Sequence, residues 1–210
     1  MEEKEIQDEL TSIRSLMERS SKFISLSGLS GILAGIYALI GAAAAFNILY
    51  TDAFTRNFTI GDDADAGKIT SRSYLLLSIA LLVLIASVIT GFILSYRKAK
   101  QKRQPLWGQT SRSLLFHMAT PLVTGGIFIL ILIIQGHYGI VASASLIFYG
   151  LSLVSASNFT YTLIKYLGLS EIILGLIAAC LPGYGLLFWA IGFGVLHIIY
   201  GSMMYLKYDR

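Results

Sequence analysis

Charge is what this chain has least of. Only 13% of its 210 residues are Asp, Glu, Lys or Arg, where a soluble domain usually carries about 25%. The few charges gather at the N-terminus, in two loops and at the C-terminus, and the stretches between them are bare. That pattern excludes an ordinary soluble domain and indicates an integral membrane protein with one membrane domain. There is a single cysteine, Cys180, so no intramolecular disulfide can form. No P-loop, dinucleotide fingerprint or nucleophile elbow occurs, which argues against an energised pump or a serine hydrolase. A cleavable signal peptide is not expected either. The chain opens on the acidic MEEKE, and a signal needs a basic start. The net charge of +4 does not point to nucleic acid, because topology accounts for most of the basic residues.

Arg97, Lys98, Lys100, Lys102 and Arg103 form a short basic loop without an acid. Long apolar runs flank it, each near the roughly 20 residues that cross a bilayer as a helix. So basic a loop stays on the cytoplasmic side, which fixes the sidedness of its neighbours. The resulting expectation is an all-α polytopic membrane protein with six transmembrane helices, N-in and C-in. The spans are 23–49, 74–95, 113–134, 141–164, 167–182 and 186–206, and a cytoplasmic tail covers 207–210. This alternation puts thirteen of the sixteen basic residues inside and leaves Arg56, Lys68 and Arg72 outside. Counted from Tyr166 to Pro182 the fifth span is short, so it either crosses with little tilt or is re-entrant. Before the first span, residues 1–22 read as an amphipathic cytoplasmic helix with Ile6, Leu10, Ile13 and Met17 in one stripe. It either lies against the membrane or forms a seam between subunits.

Small residues mark the packing faces. Gly28, Gly31 and Gly35 recur along one side of the first span, and Gly175, Gly194 and Gly201 lie on corresponding sides of the last two. Such stripes let helix backbones approach closely in lipid, within the bundle or in a homo-oligomer. Gly28–Gly35 (GLSGILAG) also echoes Gly168–Gly175 (GLSEIILG), suggesting that spans one and two repeat as spans five and six.

Three potentially charged side chains fall inside spans: His117, Glu171 and His197. Ionisable residues in a membrane are costly and point to function by default. Each lies on a polar or small-residue stripe, so all three are expected to face the interior, with Asn158 near them. Counting depth from the nearest charged ends makes His117 and Glu171 the closer pair and leaves His197 deeper. Neighbours such as Ser170, Asn158 and Arg112 would satisfy them in a purely structural role. As a working site, Glu171 would carry a proton or cation, with a histidine as relay. Two histidines and a carboxylate are also zinc ligand types, and two histidines can hold haem. No cofactor is expected; zinc and haem are the two that this residue set leaves open.

The segments ERSSKFISLSGLSGILAG, LGLSEIILGLIAA and GYGLLFWAIGFGVLHIIYG resemble a group of small six-span bacterial inner-membrane proteins of uncharacterised activity. The resemblance implies a multi-pass protein of the bacterial cytoplasmic membrane and no particular chemistry. The leading functional expectation is a small transporter, channel or accessory membrane subunit with a buried acid at Glu171. The alternatives are an intramembrane metalloenzyme using His117, Glu171 and His197, and a regulatory or scaffolding protein acting through its N-terminal helix. Besides the lipid bilayer no definite partner is implied.

Overall fold

The computed structural model describes Gln7 and residues 26–56, 65–101 and 108–209, with side chains for all of these except 50–56 and 65–73. The N-terminal helix expected over 1–22 lies outside the described residues apart from Gln7, as do Lys102 and Arg103. Among the described residues there are helices and connections and no strand. Helix α1 is Gly28–Arg56, α2 is Asp65–Gln101 and α3 is Gln109–Ile134. Helix α4 is Tyr138–Ala156, extended by a 3-10 turn at Ser157–Phe159, and α5 is Thr162–Cys180. Helix α6, Gly185–Tyr208, changes pitch along its length. It is α-helical over Gly185–Trp189, π-helical over Ala190–Leu196 and α-helical again over His197–Tyr208. Six stretches are long and apolar enough to cross a membrane: Gly28–Leu49, Tyr74–Gln101, Gln109–Ile134, Tyr138–Phe159, Thr162–Cys180 and Gly185–Tyr208.

The break between α4 and α5 falls earlier than Lys165 and Tyr166 suggested. The Ser157 hydroxyl bonds back to the Val154 carbonyl at 2.6 Å, where the helix tightens into its 3-10 turn. Thr160 and Tyr161 are then extended. Lys165 and Tyr166 are exposed on the first turns of α5, where long amphipathic side chains reach toward water from inside a helix. With 19 residues, α5 is about 28 Å long at roughly 1.5 Å per residue. That makes it long and apolar enough to cross a membrane.

Neighbouring helices pair antiparallel through glycine. Gly28 abuts the Tyr205 backbone, Gly31 lies on Gly201, and Gly35 lies on Gly194 and Ile198, which seats α1 on α6. Helices α4 and α5 cross at Gly150 and Gly168, where a β carbon on Gly150 would stand 2.6 Å from the Gly168 carbonyl oxygen. Gly175 closes the same interface against Ser143 and Leu146. Thus the two segments of the internal echo pack on non-equivalent neighbours, α6 for one and α4 for the other. Helix α2 rests on α1 through Gly41 and Val83, and α3 rests on α4 through Gly125 and Phe148. Both are peripheral and present rows of exposed apolar side chains, among them Leu82, Val88 and Phe92 on α2 and Phe116, Val123 and Ile134 on α3. The starts of α1, α3 and α5 and the ends of α2, α4 and α6 gather at one end of the bundle. We call it the basic end, after Arg97, Lys98 and Lys100.

Candidate functional site

The junction of α4, α5 and α6 holds the buried polar cluster. Glu171, on α5, is 0% exposed, and neither carboxyl oxygen has a hydrogen-bond partner. An unpaired buried polar group costs roughly 1–3 kcal/mol, and more when it is charged, so an orphaned carboxyl in the centre of a helix bundle is a feature that needs a reason. The backbone beside it is shaped to accept it. A β carbon on Gly192 would stand 2.5 Å from Glu171 Oε2 and 2.5 Å from Leu146 Cδ2. Glycine leaves the carboxyl its space; with any larger residue the Glu171 and Leu146 side-chain ends would have to turn aside.

Gly192 lies within the π-helical segment of α6, and that segment also positions His197. Its i→i+5 repeat places residue 197 over residue 192, and His197 Nδ1 lies 3.0 Å from the Gly192 carbonyl oxygen. A carbonyl only accepts, so Nδ1 carries the proton. On neutral imidazole Nε2 is then an acceptor, and the Tyr149 hydroxyl of α4 donates to it at 2.8 Å. The Tyr149 and His197 rings are 5.4 Å apart, and Phe193 packs on both. Nδ1 is also 3.4 Å from Glu171 Oε1, without a hydrogen bond between them. Three helices thus contribute one carboxyl, one imidazole and one phenol. One turn toward the basic end, the Ser170 and Tyr200 hydroxyls meet at 3.4 Å.

Two of the four polar residues singled out in the sequence come together here, Glu171 and His197; the other two do not. His117, expected to face the interior beside Glu171, is exposed on α3 and stacks on Phe159 at a centroid distance of 4.8 Å. Its stripe looked internal because it is polar. Yet Thr120 and Thr124 are exposed and bond to the Phe116 and Thr120 carbonyls of their own helix, and such back-bonding satisfies hydroxyls without a neighbouring helix. Asn158 is also exposed, its amide reaching Ser155 O at 3.4 Å. The set His117, Glu171 and His197 is therefore not assembled. Among the described residues no three His, Cys, Asp or Glu side chains gather closely enough to hold a metal ion. Sequence reasoning missed Tyr149 and Gly192; a glycine pair, Gly192 and Gly194, one turn before a histidine was the available signal.

A second network ties the basic end. Lys98, on α2, is buried; its ammonium pairs with Asp209 Oδ1 and donates to the Leu26 carbonyl at 2.6 Å. Asp209 Oδ2 accepts from the Ser27 hydroxyl at 3.1 Å and from the Gly28 N–H at 2.8 Å. The carboxylate thereby caps α1, where a negative charge is favoured by the helix dipole. Tyr161 stacks on Tyr208 at 4.1 Å with the Lys98 ammonium 5.5 Å from its ring centre. Burial, then the neighbouring Asp209 and Tyr208, pushes the Tyr161 phenol up to about 12. Of the other loop residues, Arg97 and Lys100 are exposed. No family model, no curated protein and no solved structure matches this chain.

Proposed function

We propose that the chain is a small multi-pass membrane transporter or channel subunit in which Glu171 takes up and releases a proton. The observation that carries this reading is the wholly buried carboxyl with no hydrogen bond to either oxygen. A residue kept at such cost inside a membrane domain serves something other than stability. The second support is the π-helical segment at the same place, since π-bulges inside helices occur frequently at functional sites.

The mechanism follows from the three partners. With Glu171 neutral, the His197 Nδ1–H is directed at the Gly192 carbonyl, as in this structure. When Glu171 loses its proton, the same N–H can re-aim at Oε1, 3.4 Å away, and become the donor the carboxylate lacks. Tyr149 holds the other side of the ring, so the imidazole pivots about its Nε2 contact. Releasing the Gly192 carbonyl frees the π segment to change pitch, and that links the proton on α5 to the shape of α6. The titratable groups facing Glu171 are Tyr149 from α4 and His197 from α6.

In this reading the protein lies in the bacterial cytoplasmic membrane with the basic end inside. The support is the uneven split of lysine and arginine between the two sides. The decisive test is infrared difference spectroscopy of the purified protein across neutral pH, joined to proton flux in liposomes under an imposed potential. A carboxyl band that titrates and shifts in heavy water, missing in Glu171→Gln, together with flux that this variant loses, is the expected result. Proton flux undiminished in Glu171→Gln, or no titrating band assignable to this residue, would overturn the reading.

A further inference from the structure

We infer that the groove where α1, α2 and α6 meet at the basic end is a seat for the headgroup of an anionic phospholipid, with Arg97 as its anion-binding residue. A cavity of about 270 Å³ lies there, lined among others by Leu29, Leu94, Arg97, Gln101, Tyr205 and Tyr208. That is close to the lower end of small-ligand pockets, roughly 300 Å³. Lys98 and Asp209 also line it, but they pair with each other. Their charges offset each other, so among the described lining residues the exposed guanidinium of Arg97 is the remaining charge.

The lining has a direction. Leu94, Arg97 and Gln101 are spaced three and four apart on α2, so they share one face, apolar at the deeper end and polar at the outer one. On the α1 side, Leu29 continues the apolar part beneath Ser27. The groove therefore offers a guanidinium and an amide at its outer end, two tyrosines in its lining and leucine below. Free phosphate would use only the first half of that surface. An anion attached to an acyl chain uses both, and basic pockets between transmembrane helices are a known way of holding acidic headgroups. The planar fork of arginine suits a phosphodiester. The site is independent of the proton reading, since it touches neither Glu171 nor His197. Because its floor is the network joining α1, α2 and Asp209, occupancy should tighten three helix ends at once.

The test uses the full chain in a neutral detergent. Phosphatidylglycerol is titrated in, with phosphatidylcholine and inorganic phosphate as comparisons. Retained lipid is read by native mass spectrometry, and stability by the thermal midpoint. Phosphatidylglycerol is expected to be retained in preference to phosphatidylcholine and to raise the midpoint. Arg97→Gln should weaken its binding by about fivefold or more, the effect of one basic residue at a charged membrane surface. Arg112→Gln, which removes an exposed arginine outside the groove, should not. An Arg97→Gln protein that binds like wild type, an equal loss in Arg112→Gln, or the same Arg97-dependent shift from inorganic phosphate alone would each overturn the proposal. Should Arg97→Gln lower the lipid-free midpoint as well, Arg97→Lys decides: a retained lipid preference supports the seat, and a lost one overturns it.

Discussion

Glu171 Oε1 and His197 Nδ1 stand 3.4 Å apart with no hydrogen bond between them, because the imidazole N–H is directed at the Gly192 carbonyl. A cluster selected for stability alone would close that gap, since a donor and an acceptor are already side by side. Instead the histidine is satisfied twice, by Gly192 and Tyr149, and the carboxyl is left without a donor. On the reading proposed above, that asymmetry is what would let Glu171 change state and His197 answer it.

Replacing the acid by an apolar side chain of similar size should therefore stabilise the protein. Glu171→Met removes two orphaned oxygens and keeps the volume, so the unfolding free energy should rise by about 1–3 kcal/mol, read as a higher thermal midpoint in detergent. The infrared carboxyl signal should vanish in the same variant. A lower midpoint would mean that the carboxyl has a structural partner after all.

Gly192→Ala should do the opposite. Its β carbon would land 2.5 Å from Glu171 Oε2 and from Leu146 Cδ2. Both are ends of flexible side chains that can turn aside, so the loss should lie near the low end of the about 1–3 kcal/mol that overpacking costs. Gly126→Ala is the matched control, because nothing lies within 4 Å of a β carbon there. Relieved of glycine's helix penalty, that variant should be neutral or stabilised by up to about 1 kcal/mol. Equal midpoints for the two variants would contradict the close approach at Gly192.

Tyr149→Phe leaves His197 Nε2 buried without its donor, at a cost of about 1–3 kcal/mol. His197→Phe should make the tyrosine hydroxyl the orphan instead. Because the two groups satisfy each other, the double variant should lose less than the sum of the single losses, by about 0.5–3 kcal/mol in a double-mutant cycle. Additive losses would place the two groups out of contact.

Much of the fold was legible because lipid forbids charge. No Asp, Glu, Lys or Arg lies between Lys22 and Asp52, Arg72 and Arg97, or Glu171 and Lys207, each a gap long enough for a helix that crosses. Glycine at positions 28, 31 and 35 marked the side of α1 that meets α6. Glu171 and His197 stood out as ionisable residues in apolar runs. Their adjacency did not. Depth was counted from Lys165 and Tyr166, whereas α5 begins at Thr162. That puts Glu171 nine residues into its helix, about 14 Å at roughly 1.5 Å per residue, level with His197. The π segment adds a second obstacle, because its i→i+5 contact between Gly192 and His197 has no place in an α-helical wheel. Polarity misled at His117, whose neighbouring threonines bond to their own backbone.

The pair Lys98 and Asp209 joins parts of the chain that are 111 residues apart, and its test bears on how the basic end is held shut. Both side chains are nearly buried, at 10% and 8% exposure. Removing one partner of a buried pair strands the other charge, which typically costs about 3–5 kcal/mol. Lys98→Met leaves Asp209 with the Ser27 hydroxyl and the Gly28 N–H, so part of its charge stays compensated. Asp209→Ala removes the cap of α1 and the counter-ion of Lys98 together, so it should be the more damaging of the two. In the double variant no stranded charge is left, and stability should recover to above that of Asp209→Ala alone. Thermal unfolding of the three proteins in one detergent checks the ranking. If Asp209→Ala matches wild type, Asp209 does not hold α1 and α2 together.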